Sequence, residues 1–387
     1  MAATLLATTL LPLPSSVGAG LPGCTSNDAA TLEICVSSPP THGGHDGTVF
    51  RRVDQLFAQA GAGDTIRIAM FRWDLATPAD DLIAAQTRGA EVQIVADHDV
   101  LTNSVGAHLL HTIEKTDTAH RNVVVCSGSC LPWSGRAPAP PAQNVNHLKL
   151  FLFDIGGERS VAVTSANLEH RQYPQYNNLL RVTDDGFYTY ALDYFHRLRA
   201  QRWAGWGDAD KVSSGMPRAM VYPTEHDRVL RTLRSVRCVA GMRRVDVDVA
   251  VIQRAAVRSE LGRLQSAGCR VRIVVTRERV ENWLQARVRL SDGLVVNLVN
   301  ARVRTALLHD KIITIHALVG GREKYVVLAG TSDLTCGGLL YNDEMIVRLD
   351  DRWAYLTYER HFADVYAHAH QSPNPGDVPH QRACHPR

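Results

Sequence analysis

The sequence predicts an α/β fold of two similar halves, each a mixed β-sheet flanked by helices, packed face to face with a site between them. Three observations carry this expectation. A strand–helix–strand pattern occurs twice along the chain. Each copy is followed by two apolar strands joined through Gly-Gly, which suits a tight hairpin. The first strand of each pair opens on histidine, one residue, then lysine.

In the first half, DTIRIAMFRWD (64–74) and EVQIVADHD (91–99) have the β-branched content of strands, and DDLIAAQTRGA (80–90) between them has helical spacing. In the second, RRVDVDVAVI (243–252) and CRVRIVVT (269–276) flank VRSELGRLQSAG (257–268), a helix that stops at Gly268. NHLKLFLFD and RSVAVTSAN meet at Gly156 and Gly157, and LLHDKIITIH and KYVVLAGTSD at Gly320 and Gly321. The domains expected are an N-terminal, export-like or disulfide-pinned segment (1–40), a first repeat (41–202), a linker (203–217), a second repeat (218–370) and an irregular tail (371–387). The Pro-rich stretch 131–144 precedes His147 and is read as the lining of a site entrance.

At 387 residues and 45% hydrophobic, the chain has enough apolar surface for a large core. Its net charge of +3, without a block of like charges, excludes a basic nucleic-acid arm and leaves the substrate open. Pro12 and Pro14 break the apolar N-terminal stretch, and no other run is long enough to span a bilayer. Among the 8 cysteines, Cys24 lies near Cys35 and Cys126 near Cys130, a spacing that favours disulfides over zinc, with buried thiols the remaining alternative. Cys384 would pin the tail, with Cys336 a candidate partner. A secreted, soluble protein is expected.

On a strand, residues two apart share a face, so His147 and Lys149 project together, as do His309 and Lys311. Ser165 and Asn167 follow in the first half, Thr331 and Asp333 in the second. This duplicated pattern, His147, Lys149 and Asp154 followed by the Ser165–Asn167 segment and then repeated, resembles the phospholipase D superfamily from about residue 45 to 370. The resemblance implies a fold in which both halves supply one site, and phosphodiester chemistry that needs no metal or other cofactor. It implies His147 as nucleophile and His309 as acid and base, roles that could be exchanged. Lys149 and Lys311, with Ser165, Asn167 and Thr331, would hold the phosphate oxygens, and Asp154 would be structural. Glu344, in LYNDEM, fits the carboxylate that orients a histidine; QYNNLL in the first half offers only Asn177 and Asn178. Two departures stand out: His316 occupies the position of the motif Asp, and the second segment ends in Asp333, which opposes an anion unless paired with Lys311.

Three functions follow from the resemblance: cleavage or exchange of a phospholipid head group, nuclease activity on the same fold, and a noncatalytic relative. Trp133, Trp203 and Trp206 in irregular stretches suit contact with a membrane surface. A nuclease would draw on VRCVAGMRRV, RVRLSDG (287–293), Arg302 and Arg304. His42 and His45 read as surface, and His361, His368 and His370 as a solvated helix. Because both motifs lie in one chain, a monomer is expected.

Overall fold

The computed structural model describes residues 21–40, 44–116, 122–132, 144–276, 288–289, 295–296 and 303–371. The apolar leader, His42, Trp133, most of 131–144, most of RVRLSDG, Arg302, the Arg304 side chain and the tail with Cys384 lie outside the described residues.

The first sheet contains β1 (Cys24–Ser26), β2 (Leu32–Val36), β3 (Thr65–Met70), β4 (Glu91–Asp97), β5 (Val123–Cys126), β6 (Lys149–Ile155), β7 (Glu158–Thr164) and β8 (Asn178–Val182). Their order is β1-β2-β8-β7-β6-β3-β4-β5. In the second half come β9 (Arg218–Tyr222), β10 (Val236–Arg237), β11 (Arg244–Val249), β12 (Arg270–Thr276), the small pair β13 (Val288–Arg289) and β14 (Val295–Val296), β15 (Val303–Ala306), β16 (Lys311–Val319), β17 (Arg322–Gly330), β18 (Glu344–Asp350) and β19 (His370–Gln371). The second sheet runs β19-β15-β12-β11-β16-β17-β18-β9, with β10 beside β16. Both sheets are mixed. β3 and β4 are parallel while β3 and β6 are antiparallel, and β11, β12 and β16 repeat that arrangement.

The helices are α1 (Thr48–Gln59), α2 (Ala76–Thr87), α3 (Ser104–Thr116), α4 (Asp185–Ala200), α5 (Arg228–Arg234), α6 (Ala255–Ser266), α7 (Cys336–Leu340) and α8 (Arg352–His368). Period-two alternation decides which side chains meet which layer. On β6, Phe151 and Phe153 enter the core under α1 to α3, whereas Leu150 and Leu152 enter the central core with α4 and α8. On β16, Ile313 and Ile315 face α5 and α6, and Ile312 faces the centre. The sheets thus face each other as expected, with α4 and α8 between them.

The hairpins β6–β7 and β16–β17 turn at Gly156 and Gly157 (φ +57° and +83°) and at Gly320 and Gly321 (φ +61° and +81°). Consecutive positive φ values are what a two-residue hairpin of this hand requires, and glycine adopts them without a Cβ penalty. Cys24 is joined to Cys35, Cys126 to Cys130 and Cys238 to Cys269. Cys336 is also disulfide-bonded.

Three expectations change. Residues 24–36, assigned to a separate N-terminal segment, supply β1 and β2, and β2 pairs with β8, so this stretch belongs to the first sheet. Trp203 and Trp206, expected at a membrane surface, are partly buried and stack with each other and with Tyr194. Lys211 and Arg197 lie over their rings at 4.1 and 4.5 Å. His361 is buried, because α8 is covered by the second sheet on one face and touches β2 on the other; His368, on the last turn, is exposed. No helix among the described residues is long and apolar enough to cross a membrane.

Candidate active site

Each histidine sits two residues before the lysine that begins a central strand, so the end of β6 and the end of β16 carry the same groups. Their backbones are exchanged between the halves. His147 N–H donates to the Asp343 carbonyl of the second half at 3.1 Å, and His309 N–H donates to the Tyr176 carbonyl of the first at 2.8 Å. Each lysine folds back in the same way: Lys149 Nζ donates to the His147 carbonyl at 2.6 Å and Lys311 Nζ to the His309 carbonyl at 2.8 Å. Chain segments that cross between sheets therefore hold both histidines.

The imidazoles have different supports. His147 Nδ1 lies 2.9 Å from Glu344 Oε1, with the ring N–H off the line to the oxygen. Its side chain is 16% exposed, and the Phe71 ring packs 4.9 Å from it. His309 Nδ1 lies 2.8 Å from the Ser165 carbonyl oxygen. A carbonyl only accepts, so Nδ1 carries the hydrogen and a neutral His309 presents an Nε2 lone pair. Glu344 has its counterpart in Asn177: Thr331 Oγ1 donates to Glu344 and accepts from Met345 N–H, as Ser165 Oγ donates to Asn177 Oδ1 and accepts from Asn178 N–H. One histidine is backed by a carboxylate and the other by a peptide carbonyl.

Burial sets the proton affinities. It lowers the His147 pKa, with Glu344 pulling the other way and Lys149 adding to the fall. It holds His309 well below the ordinary imidazole value, reinforced by Lys311, Lys149 and His147. Burial also pushes the Lys149 ammonium down to about 7, partly offset by Glu344. The mutual influence of these groups reflects their closeness to one another.

The remaining sequence-derived residues are placed as follows. Ser165 and Thr331 are buried, and their hydroxyls are committed to Asn177 and Glu344, so they brace the ring supports where phosphate contacts were expected. Asn167 Nδ2 donates one of its two hydrogens to Glu169 Oε2 at 2.8 Å, which fixes the amide and leaves its second hydrogen for another acceptor. Asp333 Oδ1 accepts from Val251 N–H at 3.1 Å and lies 3.4 Å from Lys311 Nζ, the pairing that offsets its charge. Asp154 meets Arg159 at 3.2 Å at the far end of β6, and His316, in the equivalent place on β16, meets Glu323 at 2.9 Å and stacks on Tyr325.

Several contributors had no sequence signal. Asp343 takes hydrogen bonds from Ser129 Oγ, Cys130 N–H and Leu131 N–H while its carbonyl holds His147. Asp97, at the end of β4, accepts from Asn146 N–H at 2.8 Å. Phe71 lies under Lys149 Nζ at 5.1 Å. These residues are far apart in the chain and share no spacing with the repeated motif.

Comparison with known proteins agrees with this geometry. The family model described as cardiolipin synthase, phospholipase D-like domain, matches residues 55–199 and again 240–366. No curated protein sequence matches the chain. Among solved structures, phosphatidylserine synthase from Haemophilus influenzae Rd KW20 is similar at a TM-score of 0.62 and 13% identity, over 89% of this chain and 88% of that one. Polyphosphate kinase from Porphyromonas gingivalis is similar at a TM-score of 0.53 and 14% identity, over 90% of this chain. This chain spans 53% of that kinase. With two matched copies, two repeated half-sites and a shared fold, the chain belongs to the phospholipase D superfamily.

Proposed function

We propose that this protein is a phosphodiesterase or phosphatidyl transferase that cleaves a phospholipid head group through two histidines. The observation that carries the reading is the pairing of two His-x-Lys half-sites, each histidine hydrogen-bonded through its backbone to the opposite half. The description of the matched family model and the name of the similar phosphatidylserine synthase favour a phospholipid.

In this reading His147 Nε2 attacks phosphorus, and the cationic phosphohistidine is stabilised by Glu344 behind Nδ1. His309 gives its proton to the departing alcohol oxygen. It then takes a proton from water, which attacks phosphorus and breaks the P–N bond; an alcohol in place of water yields an exchanged diester. A depressed His309 pKa makes the protonated ring a ready donor, and the negative charge of a bound diester helps it gain that proton. Lys149 and Lys311 supply positive charge for the non-bridging oxygens. The Asp333–Lys311 contact weakens the argument for an inactive relative, since the carboxylate is not left facing a phosphate alone. The disulfides favour an oxidising, extracellular setting, and one chain contains every group the reaction uses, so a monomer suffices.

One observation favours a nucleic acid instead. Arg243, Arg244, Arg270 and Arg352 line a cavity of about 400 Å³ with His316 and Tyr325. That cavity lies toward the far end of β16, five residues or about 17 Å from Lys311. The test is head-group release from phosphatidylcholine and phosphatidylglycerol vesicles, beside digestion of single-stranded DNA. Comparison of the native chain with His147→Ala and His309→Ala, and trapping of an acid-labile phosphoprotein, tests the mechanism. Lipid turnover lost in both variants is the expected result. DNA cleavage without lipid turnover selects the nuclease, and no turnover of either substrate removes the lipid reading.

A further inference from the structure

Beneath α8 the inner face of the second sheet carries a buried polar seam. Asp246 forms a two-bond pair with Arg272, at 2.7 and 2.6 Å. Farther toward the histidines, Asp310 Oδ2 lies 2.8 Å from His361 Nε2, and Asp310 Oδ1 accepts from Asn178 Nδ2 at 2.8 Å. Between these pairs stands Asp248. It is fully buried, and neither of its carboxylate oxygens has a hydrogen-bond partner among the described residues. One ligand atom each from Asp248, Asp310 and His361 lies within 4.8 Å of the other two.

A buried carboxylate with both oxygens unsatisfied is strongly unfavourable, and a nearby aspartate makes it more so. A cation on the shared side of the three groups resolves both problems at once. The donor set also fits: an imidazole with two carboxylates suits zinc, manganese or iron, and the 2.8 Å contact of His361 Nε2 with Asp310 Oδ2 is a hydrogen bond that ligation would replace. The first half supplies an internal comparison. Sheet register puts Ala69 where the second half has Asp248, and the repeated motif puts Leu148 where it has Asp310. Counted from the aspartate N-caps of α4 and α8, Tyr194 corresponds to His361. All three positions are thus without a metal ligand in one repeat and carry a ligand in the other, although both repeats build the same layers.

We propose that Asp248, Asp310 and His361 bind a divalent transition-metal ion that ties α8 to β11 and β16 behind the second His-x-Lys unit. The ion is structural, because the three side chains are buried in the helix–sheet seam and belong to no step of the diester chemistry. The inference stands apart from the choice of substrate.

The test uses the full-length chain. Metal content is measured by mass spectrometry after purification, and Zn²⁺ and Mn²⁺ are titrated into chelator-treated protein with calorimetry and thermal melting. Expected are about one equivalent per chain, a higher Tm with metal, and binding at least roughly 10-fold weaker in Asp248→Asn and His361→Gln. No stoichiometric binding by the native chain overturns the proposal, as does equal binding by both variants. Should the variants fail to fold, Co²⁺ absorption of the native chain decides. Ligand-field bands of a protein-bound ion support the site, and a spectrum of hydrated Co²⁺ overturns it.

Discussion

At the scale of single residues, the two histidines differ in what stands behind the ring. Glu344→Gln keeps the shape and removes the charge behind His147, so kcat should fall on the order of 100-fold or more with the fold retained, read by steady-state kinetics beside circular dichroism. The pH profile follows from the same groups. His147 needs an unprotonated Nε2, so activity falls as pH drops through its lowered pKa. Two groups must carry a proton in the free enzyme, His309, whose pKa is held well below the ordinary imidazole value, and Lys149, which loses its charge as pH rises through about 7, so kcat/KM falls with rising pH from the acid side of neutrality onward. A bound phosphodiester raises the Lys149 pKa, so kcat should persist to higher pH than kcat/KM. A kcat/KM that stays flat well above neutrality would show that Lys149 remains charged in the free enzyme.

At the scale of elements, the connections hold the site more than the strands do. The Asp343 carboxylate receives three hydrogen bonds from the segment 129–131, and its carbonyl holds the His147 backbone. Asp343→Ala strands those donors, and the loss expected in urea denaturation is about 3 kcal/mol, with a lower kcat from a looser His147. Cys238–Cys269 closes a 31-residue separation between β10 and β12. Replacing both cysteines with alanine should cost about 3–4 kcal/mol in the chain-entropy model, read as a lower denaturation midpoint with kcat little changed. The βα units and glycine hairpins were legible because their periodicity and turn residues are local. α4 was not anticipated, and α8 only at its end: both helices are wrapped by two sheets, so their buried residues do not form one narrow stripe.

At the scale of the molecule, the site exists only where the halves meet. His147 takes its ring support from β18 and its backbone partner from Asp343, while His309 takes both from the first half. A mixture of His147→Ala and His309→Ala chains should therefore recover no turnover, because no molecule in it contains both rings. Recovery on mixing would mean that two chains share a site, and sedimentation would then find a dimer.

The sequence by itself determined the two repeats, the mixed sheets and the two His-x-Lys units, since strand alternation, glycine turns and duplication are written at short range. It also marked Glu344 as a ring-orienting carboxylate and left its histidine open. Only the tertiary structure decided that Glu344 serves His147, that Ser165 and Thr331 brace supports, and that His361 is buried beside Asp310. The reason is physical: a side chain's task depends on which groups reach it in the folded chain, and Glu344 lies 197 residues from His147 while Asp310 lies 51 from His361. Local periodicity carries no record of such distances.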